Sequence, residues 1–477
     1  MRIAMLSQNE SQHDSRVIRE AQSLAAEGHQ IIVVCRAPLD STLTRSDADG
    51  VTYIAIPRTT LHPASLAALF RFHIEVLRLD AAGERPAVEH ATRMLKIVTV
   101  VMAASIAVLV AIPAWLTRRL RRLARRGRAM DEKRRGTLLL LAYIEALSYL
   151  NDYARSCTNS VTALRPDVIH AHDLVTLSAA VHAARATGAR LVYDAHELET
   201  HTNYPFTFIL RRWVALYESA LIRRCDAVIT VCDSIANWLA RDYAIPQPTV
   251  VMNAPRREAG ARLSGGVRAA AGVENGAPLA IYVGSVTIDR GLEITVRTLP
   301  LLPSLHLATV GPRYGPTEQA MRAAASELGV SDRLHFVDPV APEDVVAFIS
   351  DADVSVIPIQ NVCLSYAFSF PNKLLESVYA GVPVAAADLV EIRAFLEKHR
   401  VGLIMDETDQ RSIASTIDAV LRRRAELAPD EAELDRIDTE YGWSTQAERL
   451  AARYAELDAS SPGPTGLRAG RTANLAS

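Results

Sequence analysis

Short apolar runs along the chain alternate with longer stretches in which apolar residues recur every three or four positions. Ile3–Leu6, a helix from about Ser15 to Glu27, the Gly28-His29 turn and Ile31–Cys35 predict a first strand–helix–strand unit. Gly28 falls where a helix ends in a left-handed residue. The same alternation returns at Val168–Ala171, Leu177–Thr187, Gly188, Leu191–Asp194, Arg211–Arg224 and Ala227–Val231. A second series predicts strands at Ala280–Val283, His306–Val310, Leu334–Val337, Val354–Pro358 and Pro383–Ala386. Its helices fall at Leu292–Leu301, Thr317–Leu328 and Asn372–Ala380. Strands alternating with helices predict parallel sheets covered on both faces. The fold class is therefore α/β, with two doubly wound Rossmann-like domains facing a cleft at the carboxyl ends of their strands. The expected division is 1–250 and 251–430, with helices at 431–458 packing back across the domains and a small, polar tail at 459–477 predicted to be disordered.

The pattern breaks once, in an insert at 96–150. Residues 97–116 read IVTVVMAASIAVLVAIPAWL, without a charge. From 117 to 135 follow ten basic residues against two acidic ones. The apolar run has the length of a bilayer-spanning helix, and the arginines suit a cytoplasmic flank facing anionic lipid. A single crossing would place parts of one sheet on opposite sides of the membrane. The expectation is therefore a re-entrant or interfacial (monotopic) segment, with a buried helix of a soluble domain or of an oligomer interface as the alternative. Charge balance sharpens this picture. The chain carries a net −2, so the local excess of +8 leaves −10 on the remainder. No basic surface for nucleic acid spreads over the protein. Five scattered cysteines form no CxxC pair, which suits a reducing compartment. The start, MRIAMLSQN, reads as a buried strand rather than a signal peptide.

Candidate chemistry concentrates in two stretches of the second half. In SYAFSFPNKLLESVYAGVPVAAAD, Pro371 and Asn372 lead a helix whose free N–H groups and dipole suit a phosphate. Lys373 adds a full charge, and Glu376 lies one turn on, placed to accept bonds from ribose hydroxyls. The plainer alternative is a surface helix with an ordinary Lys–Glu pair. In YVGSVTIDRGLE, Gly284 and Ser285 form a turn after a strand, and Arg290-Gly291 open the next helix. Arg290 there can grip a diphosphate bidentately, sharing one site with Lys373.

In the first half, DVIHAHD ends a strand with His170 and His172 on one face and Asp173 at its tip. YDAHE ends the next strand with His196 and Glu197 emerging into the cleft, and Asp14 and Arg16 fall at the first helix start. His-x-His is a possible metal pair, but a single nearby carboxylate favours histidines that are structural or that bind acceptor. Asp351-Ala352-Asp353 has the letters of a metal-binding DxD, yet lies at a helix end before a buried strand and reads as structural. No metal is expected.

Together these motifs resemble family 4 of the retaining glycosyltransferases, which have the GT-B fold. The matching residues are Gly284, Arg290-Gly291, Glu376 and Ala380-Gly381-Val382-Pro383-Val384, and the PNKLLE wording resembles a subgroup with P-N-K-L-F-E. The resemblance spans most of 1–95 and 160–457. It implies that Arg290 and Lys373 hold the donor diphosphate, that Glu376 holds the ribose, and that His196 touches the donor sugar. A D-x-R-V subgroup matches Asp14, Arg16 and Val17. Two positions depart from the family pattern: Phe368 replaces a Glu often found eight residues before the ribose Glu, and Ser285 replaces an Arg often found after the glycine turn.

The expected function is transfer of a sugar, with retention, from a nucleotide-diphospho-sugar to a lipid-linked or polysaccharide acceptor. The expected location is the cytoplasmic membrane face, with 97–135 on the anionic lipid surface. His196, Arg290 and Lys373 are the expected catalytic residues. Gly284, Ser285, Gly291, Pro371, Asn372 and Glu376 bind donor beside them. Asp14, Arg16, His172, Asp173 and Glu197 lie on the acceptor side. The alternatives are a catalytically idle sugar-nucleotide-binding subunit scaffolding a membrane complex, favoured by Phe368 and Ser285, and a sugar-nucleotide 2-epimerase, whose families lack the PNKLLE helix.

Overall fold

A computed structural model describes residues 1–9, 14–37, 44–57, 156–203, 208–257 and 266–459. The insert at 96–150 and the tail beyond 459 lie outside the described residues.

Eight strands form the first sheet, in the order β3-β4-β2-β1-β5-β6-β7-β8. They are β1 (Arg2–Leu6), β2 (Gln30–Arg36), β3 (Thr44–Ala48), β4 (Val51–Ile56), β5 (Val168–His172), β6 (Arg190–Ala195), β7 (Ala227–Thr230) and β8 (Thr249–Val250). All pairings are parallel except β3 with β4. That hairpin turns on Asp49-Gly50, both at positive φ (51° and 75°), the conformation that suits strand twist and that Asp-Gly adopts readily. The sequence pattern did not predict this hairpin, because its polar outer strand lacks an apolar run.

The second sheet is wholly parallel, in the order β11-β10-β9-β12-β13-β14. Its strands are β9 (Leu279–Val283), β10 (His306–Val310), β11 (Leu334–Val337), β12 (Val354–Ile357), β13 (Val384–Ala387) and β14 (Gly402–Met405). The chain winds outward one way from β9 and the other way from β12. The crevice at this switch point opens at Gly284 and Pro358, just past the two strand ends. In the first sheet β1 and β5 play the same part, since β1 pairs with both β2 and β5.

Most predicted elements form within a few residues of their expected ends. The helix expected over 292–301 is a correction: it forms only over Leu292–Val296, followed by a 3-10 turn at Leu299–Leu301. Pro300 has no N–H to continue an α-helix, and the Thr298 hydroxyl donates to the Thr295 carbonyl at 2.7 Å, tightening the chain.

The last helix, Trp443–Ala459, returns to the first domain. Its Trp443, Leu450, Tyr454 and Leu457 share one core with Ile3, Met5, Val17 and Val33. Trp443 Nε1 donates to Ser23 Oγ at 3.0 Å, and Gln446 Oε1 accepts from the Met252 N–H at 2.9 Å.

Candidate active site

Glycine makes the second-domain wall of the cleft possible. Gly284 has φ +118°, and a Cβ there would stand 3.1 Å from Lys373 Nζ. Gly291, at φ +67°, precedes the helix Leu292–Val296, and a Cβ there would overlap the Pro358 carbonyl. The strand ends thus approach one another as closely as backbone allows.

Lys373 is the second residue of the helix Asn372–Tyr379, after Pro371 in extended conformation. Its ammonium lies 3.8 Å from the Tyr282 ring centroid, and the Arg290 guanidinium lies 4.8 Å from that of Tyr366. Burial, and then Arg290, pull Lys373 down to about 7, with Glu376 opposing. Burial pushes the Glu376 carboxyl up, against Lys373 and Arg19. A cavity of about 410 Å³ is lined by Gly284, Ser285, Arg290, Pro371, Asn372, Lys373 and Glu376, with Ser15 from the first domain. The residues predicted for the donor therefore meet in one cavity, with Gly291 holding its wall in place.

Across the cleft, His196 is clamped between two carboxylates. Its Nδ1 lies 3.2 Å from Asp173 Oδ2 and its Nε2 lies 3.2 Å from Asp194 Oδ2. Burial alone would lower its pKa, but Asp173 and Asp194 outweigh burial and hold it well above the usual histidine value. His196 is thus held as an imidazolium, its side chain 20% exposed. Asp173 sits at φ +62° before the helix Leu174–Thr187 without capping it, so its side chain is free for the histidine. Glu197 is exposed at the cleft edge, its Oε2 3.4 Å from Ser365 Oγ of the other domain.

Asp194 was not singled out from the sequence, although it lies on β6 two residues before His196, which follows the strand end. It is the hub of this wall. Arg16 binds it through Nε and Nη2, both at 2.8 Å, and donates to the Val251 carbonyl at 2.6 Å. Burial would raise Asp194, and Arg16 followed by His196 overcome this, so its carboxylate stays charged. Arg16 and His172 are 2% and 1% exposed, so neither touches the cleft and both act from beneath its floor. Asp14 caps its helix, accepting from the Val17 N–H at 3.3 Å.

Glu20, His170, His172 and Asp194 come within 4.8 Å of one another, all buried. Their donor set would suit a cation, but the Arg16 guanidinium already supplies one, binding Asp194 and standing 3.1 Å from Glu20. Glu20, pushed up to about 7 by burial despite Arg16, is a poor anionic ligand. Asp351 and Asp353 are tied to Arg268, whose Nη2 lies 2.8 Å from Asp353, and to Arg424. They anchor helices, as expected.

Facing sheets with a cleft at both switch points define the GT-B architecture, and solved structures agree. Sucrose-phosphate synthase from Thermosynechococcus elongatus superposes with a TM-score of 0.61 at 16% identity, over 97% of this chain and 100% of that one. HepE from Anabaena, solved with UDP-glucose, gives 0.61 at 12% identity over 96% and 100%. Residues 103–254 match Glycosyltransferase Family 4, and residues 277–423 match Glycosyl transferases group 1. Both matches are to glycosyltransferase families, one in each domain, and the fold is of the GT-B type. Among relatives, D-inositol 3-phosphate glycosyltransferase from Corynebacterium efficiens is 28% identical over 39% of this chain and 44% of its own length. Glycogen synthase from Mycobacterium tuberculosis is 24% identical over 61% and 69%. The first of these is thus matched over less than half of its length. Among the described residues no helix is long and apolar enough to cross a membrane, and the 97–116 run lies outside them.

Proposed function

We propose that the chain transfers a sugar, with retention, from a nucleotide-diphospho-sugar to a lipid-linked or polysaccharide acceptor at the cytoplasmic membrane face. The observation that carries this reading is the shared cavity of Gly284, Arg290, Lys373 and Glu376. A helix N-terminus and two cations suit a diphosphate, and a carboxylate one turn away suits vicinal ribose hydroxyls. Arg290 and Lys373 stabilise charge developing on the leaving diphosphate. His196 positions the reacting sugar from the opposite wall. The leaving phosphate takes the acceptor proton on the same face of the sugar, which accounts for retention without a protein nucleophile. HepE, solved with UDP-glucose in the same fold, supports a nucleotide-sugar donor.

The test is thermal-shift screening of nucleotide sugars against the purified protein, followed by nucleotide release by wild type and Lys373→Ala. Stabilisation by one donor, with release lost in the variant, is the expected result. A second reading is a donor-binding scaffold subunit without turnover. Phe368 and Ser285 favour it, and Phe368 packs against the first-domain core while its carbonyl accepts from Cys232 Sγ at 3.1 Å. Binding without release in any acceptor mixture selects that reading.

A further inference from the structure

We propose that Tyr454, on the last helix of the described chain, is a positioning residue for His196, acting through His170 and His172. This rests on the reading of His196 as the group that faces the donor sugar.

The contacts form an unbroken series beneath the cleft floor. The Tyr454 hydroxyl lies 2.8 Å from His170 Nδ1. The His170 ring stacks on His172, with centroids 4.3 Å apart and planes 17° from parallel. His172 Nδ1 lies 3.3 Å from Asp194 Oδ2 and 3.2 Å from His196 Nε2. Tyr454, His170, His172 and Asp194 are each 1% exposed or less.

The neighbouring charges favour one arrangement of the protons. Asp194 Oδ2 accepts from Arg16 Nε and faces the His172 and His196 nitrogens, so both rings turn N–H groups toward it. For His170 the choice lies with Tyr454. A hydroxyl donating to Nδ1 leaves the ring proton on Nε2, which lies 3.8 Å from Glu20 Oε2 and 4.0 Å from Asp194 Oδ2. There the N–H makes no hydrogen bond but lies near two carboxyl groups. Without the hydroxyl, either Nδ1 is stranded in the core or the proton moves to Nδ1 and a lone pair faces those carboxyls. The stacked His172 ring feels that change directly, and through it the bond that Asp194 shares with His196. Simple packing does not account for the hydroxyl: Leu450 and Leu457 fill the same core without a polar atom.

Tyr454→Phe keeps the ring and removes only the hydroxyl. In protein labelled with imidazole-15N histidine, the His196 signals are identified by their loss in His196→Gln. Tyr454→Phe should then shift the His172 and His196 nitrogens while the melting temperature stays within a few degrees. It should lower kcat for nucleotide release roughly tenfold with donor KM nearly unchanged. His170→Asn, which keeps a partner for Tyr454 but removes the stacked ring, should move the same signals. Leu450→Ala, a packing control, should lower the melting temperature and leave them in place. Unmoved His196 signals in both Tyr454→Phe and His170→Asn overturn the proposal, as do shifts of equal size in Leu450→Ala. The spectra are recorded without donor, so they decide the proposal even if no nucleotide sugar binds, a result that would sink the donor-site reading instead.

Discussion

The ammonium of Lys373 rests 3.8 Å from the centre of the Tyr282 ring, where burial holds its pKa near 7. Among the described residues no carboxylate forms an ion pair with this cation, which rests on an aromatic face in the wall of the cavity. Near pH 7 this leaves Lys373 about half-charged, and under the proposed function a bound diphosphate completes its charge.

Nucleoside diphosphate binding should therefore take up a proton at pH 8. Lys373 is largely neutral there in the free protein, and the bound phosphate restores its charge. Calorimetry in buffers of different ionisation enthalpy should show net uptake that vanishes in Lys373→Met. Affinity should fall as pH rises from 6.5 to 8.5. A flat affinity profile in wild type would contradict this.

The same burial costs stability. Lys373 has a folded pKa of about 7 against an ordinary value of 10.5, so between these pH values the unfolded chain binds more protons. Its contribution to stability thus rises with pH across that window. Lys373→Met should raise the melting temperature of the free protein at pH 7 and flatten the rise, while nucleotide binding weakens by about a hundredfold.

Asp173→Asn should release His196 from one side of its clamp. In wild type the imidazole stays protonated through neutral pH because Asp173 and Asp194 outweigh burial. The stability this gives is complete below about pH 6.5 and is lost as pH rises through the higher folded value. The variant should titrate nearer 6.5 by NMR, and its turnover should decline at a lower pH than wild type.

Gly291→Ala should disable the second-domain wall. The new methyl meets the Pro358 carbonyl in a backbone conformation that side chains disfavour. A cost of about 2–4 kcal/mol is expected from overpacking plus the left-handed backbone. Urea unfolding measures it, and loss of nucleotide-induced stabilisation should accompany it.

Deleting residues 97–135 tests the membrane expectation. Full-length protein should sediment with vesicles containing anionic lipid, and the shortened protein should remain in the supernatant. Equal sedimentation of both would remove that segment as the anchor.

Local rules made much of the fold legible. Apolar runs, helix starts and glycine stops placed Ile3–Leu6, His306–Val310 and Asn372–Ala380 within a residue or so of their observed ends, because neighbouring residues decide those hydrogen bonds. The Asp49-Gly50 hairpin was readable from its turn residues and escaped only because β3 is polar. The cavity of the proposed donor site was legible for the same reason: Gly284, Arg290, Lys373 and Glu376 each sit at a strand end or helix start that sequence can locate.

The opposite wall shows where sequence stopped. Asp194 reads as one polar residue in a strand, and only the tertiary structure brings Arg16 and His172 to it. Arg19 reads as a helix-surface basic group, yet it lies 5.5 Å from the Trp443 ring, bonds Asn253 and faces Glu376 across the cleft. Tyr454 looks like one more apolar position of an amphipathic helix. Its hydroxyl acquires a partner because that helix crosses back over 284 positions of sequence to meet His170. By itself, the sequence determined the elements and the residues at their ends, since backbone bonding and side-chain periodicity are local. Only tertiary structure decided which buried charges meet, because that depends on packing between segments no spacing rule connects.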